Sequence, residues 1–284
     1  MSPVTVGVDD SEDSLRAVEW AAAEAGRRRR PLLIVHAFIW PLMNVPLGPA
    51  PGAPPEGGLR HAAERILETA RDRARMVAPE VGITTELPEG EAFAVLLRHS
   101  RQAELLVVGS RGLGEVGGLL LGSVGAKLGA EAACPVVVVR GSARPDGPVV
   151  AGIGDPGESE AVLDFACAHA ARTADPLMLA HVADRGGPPL AEPELARWQE
   201  RFPTVTIDQE SLTGRPGKAL TDAAARASLL VVGSHHRHEF SALLHGSVSR
   251  NVLHHAACPV AIVPLTAQEF SGSRHEPEGL SGHS

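Results

Sequence analysis

The sequence contains one unit twice, and this internal repeat limits the possible folds more than any other feature. The string LLVVGS occurs at Leu105–Ser110 and again at Leu229–Ser234, an offset of 124 residues. Other short strings recur at the same offset: Gly122-Ser123-Val124 with Gly246-Ser247-Val248, and Ala133–Val136 with Ala257–Val260. Nearer the start of each copy the offset is 145, which relates Val4–Asp10 to Val149–Asp155 and His36 to His181. Several landmarks at a fixed spacing indicate a tandem duplication.

The repeat also sets the expected domain boundaries. We expect one domain at residues 1–141, a second at 147–265, and a linker in the Gly141–Gly147 segment GSARPDG. The tail, residues 266–284, is rich in Ser, Gly, Glu and His and is expected to be disordered. The two offsets differ because the first copy carries extra residues in the Pro/Gly-rich segment Pro41–Gly58. Here we expect a plain surface loop in preference to a mobile lid.

Within each copy, aliphatic strands alternate with amphipathic helices. In the first copy we expect five strands: Val4–Val8, Leu32–Phe38, Ile83–Leu87, Leu105–Val108 and Val136–Arg140. The helices between them are expected at Ser11–Arg27, Leu59–Ala78, Ala92–Gln102 and Ser123–Ala132. Uniformly aliphatic strands separated by helices indicate a parallel sheet with both faces covered. The predicted fold class is therefore α/β, with two tandem five-stranded parallel-sheet domains.

Composition argues against several classes of protein. A formal net charge of -8 provides no general attraction to nucleic acid or to anionic lipid, so we expect neither as a partner. The three cysteines, Cys134, Cys167 and Cys258, are too few and too scattered for a disulfide framework, which fits a reducing cytosol. The first residues lack the basic and apolar regions of a signal peptide. We therefore expect a cytoplasmic protein.

Two glycine patterns overlap after the fourth strand of the first copy. Gly112, Gly114 and Gly117 spell G-x-G-x-x-G, the pattern of dinucleotide-binding folds. A wider pattern, G-x2-G-x9-G-S, is formed by Gly109, Gly112, Gly122 and Ser123. The second copy has His238 and Ser241 in place of Gly114 and Gly117, but it keeps Gly233, Gly246 and Ser247. The dinucleotide pattern is therefore rejected, also because such a fingerprint should follow the first strand.

The wider pattern suits a phosphate-containing ligand. Glycine at 109 and 112 lets the backbone turn and approach a ligand, while Gly122-Ser123 opens a helix whose unpaired N–H groups favour phosphate. The Ser123 hydroxyl can cap this helix or donate to a phosphate oxygen. Asp9, at the carboxyl end of the first strand, can accept a hydrogen bond from a ribose hydroxyl. The alternative is an ordinary flexible loop, with Asp9 as a helix cap, although Asp10 or Ser11 could cap instead.

These residues together resemble the universal stress protein family in its tandem two-domain form. The resemblance rests on VGVDDSEDS, LIVHAF, LLVVGSRG, G-x9-GSV and ACPVVVV, and it covers nearly the whole chain. It implies an adenine-nucleotide α-hydrolase-like fold that binds ATP, with Mg²⁺ as an optional companion, at the carboxyl ends of the strands. It also implies a homodimer, or an intramolecular pseudo-dimer, formed through the final strands.

The resemblance assigns individual roles to residues of both copies. Asp9 would contact the sugar or base, the backbone of Ala37 would meet the adenine, and Gly109, Gly112, Gly122 and Ser123 would hold the phosphates. The corresponding residues of the second copy are Val182, Gly233, Gly246, Ser247 and Ser249. This sequence departs from the family pattern at Gly125, which lacks the second hydroxyl. The second copy departs further, with Gly154 for Asp9, Asp155 one residue late, and His236 for Gly112.

Two charged clusters have ordinary explanations. The histidines around His235, His236 and His238, with His245, His254 and His255, lack acidic or thiolate ligands at helical spacing, so we expect no metal site. Arg27–Arg30 fall at the end of a helix, where cations complement the helix dipole.

The sequence gives little support for catalysis. It contains no G-x-x-x-x-G-K-[ST], G-x-S-x-G or H-E-x-x-H motif, so we expect no enzyme beyond slow ATP hydrolysis. Our main hypothesis is a stress-response module in which ATP orders the glycine loops and changes association with itself or with an unknown protein partner. The first alternative is a nucleotide-independent interaction scaffold. An ATP-pyrophosphatase-like enzyme ranks last, because Asp9–Ser14 reads DDSEDS in place of S-G-G-x-D-S.

Overall fold

The repeat in the sequence reappears as a repeat of structural elements. The computed structural model describes residues 1–38, 58–110, 122–141, 146–154, 156–182, 189–235 and 247–265. The first copy contains β1 (Val4–Gly7), α1 (Glu12–Arg28), β2 (Leu32–Val35), α2 (Leu59–Val77), β3 (Ile83–Glu86), α3 (Ala92–Ser100), β4 (Leu105–Gly109), α4 (Ser123–Glu131) and β5 (Val136–Val139). The expected loop before Gly58 and the expected disordered tail from residue 266 lie outside the described residues.

The second copy follows the same order. It contains β6 (Val149–Ile153), α5 (Pro156–Thr173), β7 (Leu177–Val182), α6 (Glu192–Arg201), β8 (Ile207–Leu212), α7 (Pro216–Ala223), β9 (Leu229–His235), α8 (Ser247–His255) and β10 (Val260–Leu265). A short 3-10 turn at Ala224–Arg226 separates α7 from β9. None of the helices in the described ranges has the length and apolarity that crossing a membrane requires.

The strands of both copies form one sheet. Ten strands lie in the order β3-β2-β1-β4-β5-β10-β9-β6-β7-β8, and every neighbouring pair is parallel except β5 and β10. These two are antiparallel, with Val138 opposite Val260. The predicted α/β class with five parallel strands per copy is confirmed. The aliphatic pattern of the strands did not predict that the sheets merge, which removes one exposed edge from each copy.

Helices cover both faces of this sheet. Alternate residues of β4 point to opposite sides: Leu105 and Val107 belong to the core under α1, α2, α5 and α6, whereas Leu106 and Val108 belong to the core under α3, α4, α7 and α8. The buried side of α1 consists mainly of small residues, Ala17, Ala21, Ala22 and Ala25. Leu15 of the same helix is partly buried and packs against this core.

Contacts at the end of β5 hold the two copies together. Arg140 donates to the backbone oxygens of Leu253 and His254, the latter at 3.0 Å, and so binds carbonyls in the last turn of α8. A cation there also complements the negative end of the helix dipole. Gly141 follows with a φ of 60°, and a Cβ at this position would lie 2.0 Å from the carbonyl oxygen of Ala257. Gly141, where the connection begins, thus packs closely against the second copy.

All three cysteines are buried and unpaired. Burial raises the pKa of Cys134 and of Cys167 to about 12, and that of Cys258 to about 11. Since the thiolate is the reactive form, these side chains behave as small apolar groups near neutral pH.

A buried acid lies where α1 of the first copy meets α5 of the second. Glu24 is fully buried, and its Oε1 atom accepts from Nε of Arg28 at 2.6 Å. The same oxygen lies 3.3 Å from Nδ1 of His169 and 3.5 Å from Nη2 of Arg172. Burial alone would raise the pKa of Glu24, but the hydrogen bond and charge of His169, with the charge of Arg28, lower it to about 2. Glu24 is therefore a carboxylate held by cations from both copies.

We expect Glu24→Gln to reduce the free energy of unfolding and to weaken its dependence on acid pH. A pKa of about 2 against an ordinary value of 4.5 corresponds to about 3 kcal/mol. Because the folded-state pKa is the lower one, this stabilisation is complete above about pH 4.5 and is lost as the pH falls towards 2. Urea denaturation of wild type and variant at several pH values measures both effects.

Glu64→Gln provides the control, because Glu64 forms an exposed pair with Arg60 at 3.2 Å, and such pairs contribute little to stability. Equal pH dependence in wild type and Glu24→Gln would show that the Glu24 carboxylate does not stabilise the fold.

Candidate functional site

The candidate site lies at the carboxyl ends of three adjacent strands, β2, β1 and β4. Helix α1 leaves the end of β1 and covers one face of the sheet, whereas α4, which follows β4, covers the other. Connections that diverge to opposite faces leave a crevice between the strand ends, and ligands of open α/β sheets bind at such places. Asp9, Ala37, Gly109 and Gly122, all predicted from the sequence, lie at this edge.

Asp9 follows β1 and is held by the start of α1. Its Oδ1 atom accepts from the backbone N–H of Ser11 at 3.1 Å and from the Ser11 hydroxyl. Ser11 itself caps α1, because its hydroxyl oxygen accepts from the N–H of Ser14 at 3.2 Å. The alternative in which Asp9 caps the helix is therefore wrong. Asp9 remains partly exposed, with its carboxylate fixed in one orientation at the strand end.

Ala37 lies just beyond β2, and its neighbours fix the direction of its backbone. The backbone N–H groups of His36 and Phe38 donate towards β3, to Glu86 and Pro88, at 3.0 and 2.9 Å. Since backbone groups alternate in direction along an extended chain, the N–H and C=O of Ala37 face the β1 side, past the point where β1 ends. The Nδ1 atom of His36 lies 2.8 Å from the carbonyl oxygen of Val8 and ties the two strand ends together.

Gly109 has a packing role that the sequence did not reveal. A Cβ at this position would lie 2.8 Å from the backbone carbon and oxygen of Asp13 and 2.9 Å from the nitrogen of Ser14. The first turn of α1 thus lies directly against the end of β4. The structure shows that Gly109 permits the close approach of a helix, and its predicted role in approaching a ligand stays a prediction.

Gly122 closes the loop that begins at Ser110. The N–H of Gly122 donates to the carbonyl oxygen of Ser110 at 2.8 Å, so both ends of the loop meet at the end of β4. Gly122 is the N-cap residue of α4, and among the residues that the structure describes no side chain caps this helix. The N–H groups of its first turn, which lack intrahelical partners, therefore lie at the carboxyl edge of the sheet. Ser123 is exposed within that turn and does not cap the helix, and Gly112 lies outside the described residues.

Asp13 and Ser110 form a buried link that the sequence analysis missed. The Ser110 hydroxyl donates to Oδ2 of Asp13 at 2.7 Å, which joins α1 to the start of the loop. The Ser110 N–H also donates to Val139 at 2.9 Å. The repeated string LLVVGS contains Ser110 and could have drawn attention to it. Asp13 had no such signal, because Glu158 occupies its position in the second copy.

The corresponding edge of the second copy is built differently. Gly154 is exposed at the end of β6, and Val182 is buried at the end of β7. Strand β9 continues two residues past Gly233, with His235 paired to Leu265. Ser249, predicted to contact phosphate, donates its hydroxyl to the carbonyl oxygen of Gly233 at 3.0 Å. Gly246 and His236 lie outside the described residues, as does the side chain of Ser247.

His181, the equivalent of His36, also differs. It is buried, and within the described part of the chain neither ring nitrogen has a hydrogen-bond partner. The tie between neighbouring strand ends that His36 provides is therefore missing from the second copy.

The histidine-rich segment provides no metal centre in the described ranges. There, no three His, Cys, Asp or Glu side chains are grouped so that they could hold a metal ion. His254 and His255 lie at the end of α8, with ring centroids 6.2 Å apart. Burial, and then the positive charges of Arg250, His255 and Arg140, lower the pKa of His254.

Comparison with known proteins identifies close relatives of this architecture. The model of the universal stress protein family matches residues 1–140 and 189–264. A universal stress protein of Mycolicibacterium smegmatis is 35% identical, over 92% of this chain and 96% of its own. One from Mycobacterium tuberculosis is 33% identical, over 91% of this chain and 96% of its own. The crystal structure of a universal stress protein from Archaeoglobus fulgidus has the same fold, with a TM-score of 0.64, 17% identity, and coverage of 93% and 99% of the two chains.

We expect Gly109→Ala to destabilise the protein by about 1–3 kcal/mol, because the added methyl group would overlap the backbone of Asp13 and displace the first turn of α1. The matched control is Gly125→Ala in α4. Its Cβ would meet only side-chain carbons of Val138 and Val108, at 3.4 Å or more, and alanine favours a helix by up to about 1 kcal/mol. Chemical denaturation measures both, and equal effects would contradict the packing role of Gly109.

Proposed function

The chain belongs to the universal stress protein family, and we propose that its first copy binds ATP at the carboxyl ends of β1, β2 and β4. The observation that carries this proposal is the hydrogen bond from Gly122 to Ser110, 2.8 Å long. It holds the uncapped start of α4 at the end of β4, beside the strand that Asp9 follows. Donors for an anion and an acceptor for a sugar thus share one crevice.

The phosphates would bind at the start of α4. The first N–H groups of a helix lack intrahelical partners, and the helix dipole places partial positive charge there. Since Gly122 supplies no side-chain cap, these groups are available to phosphate oxygens. Ser123 lies exposed in the same turn and can add a hydroxyl donor.

The nucleoside would extend from this point across β1 towards β2. The Asp9 carboxylate, oriented by Ser11, can accept from a ribose hydroxyl. The backbone of Ala37, directed to the β1 side, can pair with the polar edge of adenine. Any Mg²⁺ would arrive with the phosphates, since this ion prefers phosphate oxygens and water to an all-protein cage.

We place the function of this site in binding and regulation. At this edge, the carboxylates of Asp9 and Asp13 hold structural hydrogen bonds with Ser11 and Ser110. Neither is therefore positioned as an uncommitted general base, and ATP hydrolysis should be slow at most. ATP binding would instead regulate association. A partner protein, or a second chain, would bind one of the two states of the site, ATP-bound or empty, more tightly than the other. Three buried thiols fit a reducing cytoplasm.

For the second copy we propose a scaffolding role. Its Ser249 hydroxyl donates to Gly233, which fixes the first turn of α8 to the end of β9 without a ligand. Its first strand ends at Ile153 and is followed by Gly154, which has no carboxylate to offer a ribose. These features favour an interaction scaffold in this half of the chain, attached to a ligand-binding first half.

We expect Asp9→Ala and Gly122→Asp each to weaken ATP binding about tenfold or more, as loss of a charge-assisted hydrogen bond or repulsion of phosphate predicts. Gly122 has φ -68° and ψ 144°, the conformation of an ordinary N-cap, so aspartate should support α4 while repelling the anion. Isothermal titration calorimetry of ATP with the full chain measures the affinities.

Ser249→Ala is the matched control, because it removes a hydroxyl from the second copy only and should leave the affinity of the first site unchanged. If ATP binds wild type, Asp9→Ala and Gly122→Asp equally, this site is wrong. If wild type does not bind ATP and no nucleotide co-purifies by absorbance at 260 nm, the scaffold function applies to the whole chain.

A further inference from the structure

Two helices from different copies meet at equivalent positions. The offset of 145 residues that relates the starts of the copies also relates Glu24 of α1 to His169 of α5, and Trp20 to Phe165. In the structure the carboxylate of Glu24 and the Nδ1 atom of His169 are 3.3 Å apart. When two related units are joined by a two-fold axis, a residue meets its own equivalent only near that axis. Glu24 and His169 therefore mark the pseudo-two-fold axis between the copies.

The contact on this axis is buried, and a second acid, Glu104, pairs with Arg28 beside it at 3.2 Å. Glu24 and His169 have exposed fractions of 0% and 3%. The aromatic rings on either side stack with the imidazole: the Trp20 and Phe165 centroids lie 6.1 and 6.4 Å from that of His169. The Arg28 guanidinium lies 5.4 Å above the Phe165 ring and donates to Glu24. The imidazole is thus held between aromatic rings with one nitrogen directed at the acid.

Both sides of the contact carry arginine, and they differ in one buried group: the first copy supplies the Glu24 carboxylate and the second the His169 imidazole. On the second copy, His169 and Arg172 face Glu24. On the first copy, Arg27 and Arg28 pair with Glu24 on its own helix. Two second-copy faces placed together would bring two His169 and two Arg172 to the axis with no acid from these positions. Two first-copy faces would bring two buried Glu24 carboxylates together without His169 or Arg172, and only Arg27 and Arg28 of the same helices would remain to balance their repulsion.

We propose that Glu24 and His169 select the pairing of the copies, so that an α1 face accepts an α5 face and rejects a second α1 face. The partner it fits is the second copy of this chain, or of another chain where copies exchange between two molecules. Backbone pairing of β5 with β10 does not distinguish an α1–α5 contact from an α1–α1 contact, because both strands are short aliphatic runs. Glu24 and His169, the side chains on the axis, distinguish the two contacts, as buried polar groups do when they specify pairing.

The test is an exchange of the two charges in the full chain. Glu24→His places two imidazoles on the axis, and His169→Glu places two carboxylates there. We expect each single variant to lower the unfolding midpoint by about 5 °C or more, and the double variant, Glu24→His with His169→Glu, to recover at least half of the summed loss. Differential scanning calorimetry gives the midpoints, and light scattering gives the mass of each species.

A double variant whose loss equals or exceeds the sum of the single losses would overturn the proposal, because two groups that recognise each other across the axis must show a favourable coupling. If a charged single variant fails to fold, the same comparison uses Glu24→Gln and His169→Gln, where the proposal again requires the double loss to be smaller than the sum. Exchanging Lys218 and Asp222, an exposed pair with Nζ and Oδ2 2.6 Å apart, is the control and should change the midpoint little.

Discussion

The antiparallel pairing of β5 with β10 is the interaction on which the rest of this structure depends. It joins two sheets that would each end in an exposed aliphatic edge, and it fixes the two copies about one pseudo-two-fold axis. The same axis brings α1 against α5 and places Arg140 at the last turn of α8. Glu24 can be buried because cations from the other copy are delivered to it. A backbone contact therefore sets the electrostatics of side chains far along the chain.

Most of the fold could be predicted from the sequence, because aliphatic runs and Gly/Pro punctuation are local signals. The bounds of α2 and β3, for example, differ from expectation by one residue at their ends. The merging of the sheets could not be predicted from the strand residues alone, since VVVV in β5 suits a covered strand with any neighbour. Glu24 was equally inaccessible to sequence reasoning. From the sequence it is one polar residue on an amphipathic helix, and it is buried only because α5 of the second copy packs against α1.

The candidate site shows why a repeated glycine does not by itself reveal its purpose. Gly109 persists as Gly233 in the second copy, which suggested a role in binding. In the first copy its absent side chain makes room for the backbone of Asp13. That close packing in turn sets the start of α1, and hence Ser11 and the carboxylate of Asp9, beside the end of β4. Close packing and ligand recognition would thus both require glycine at this position, so its repetition in the second copy does not distinguish the two roles. The hydrogen bonds around the residue can distinguish them.

The two copies share their topology but differ at the carboxyl ends of their strands, where the candidate site of the first copy lies. In the first copy, β4 ends at Gly109 and the Ser110–Gly122 hydrogen bond closes a loop beside Asp9. In the second, β9 runs on to His235 and the Ser249 hydroxyl satisfies the carbonyl of Gly233. In the second copy the strand end is continued and internally bonded, whereas in the first copy it lies beside a helix whose first N–H groups have no intrahelical partners. Since both copies contribute to one sheet and one buried axis, the second stabilises the assembly whether or not it binds a nucleotide. Duplication followed by divergence at the strand ends accounts for a chain whose topology is symmetric and whose strand ends are not.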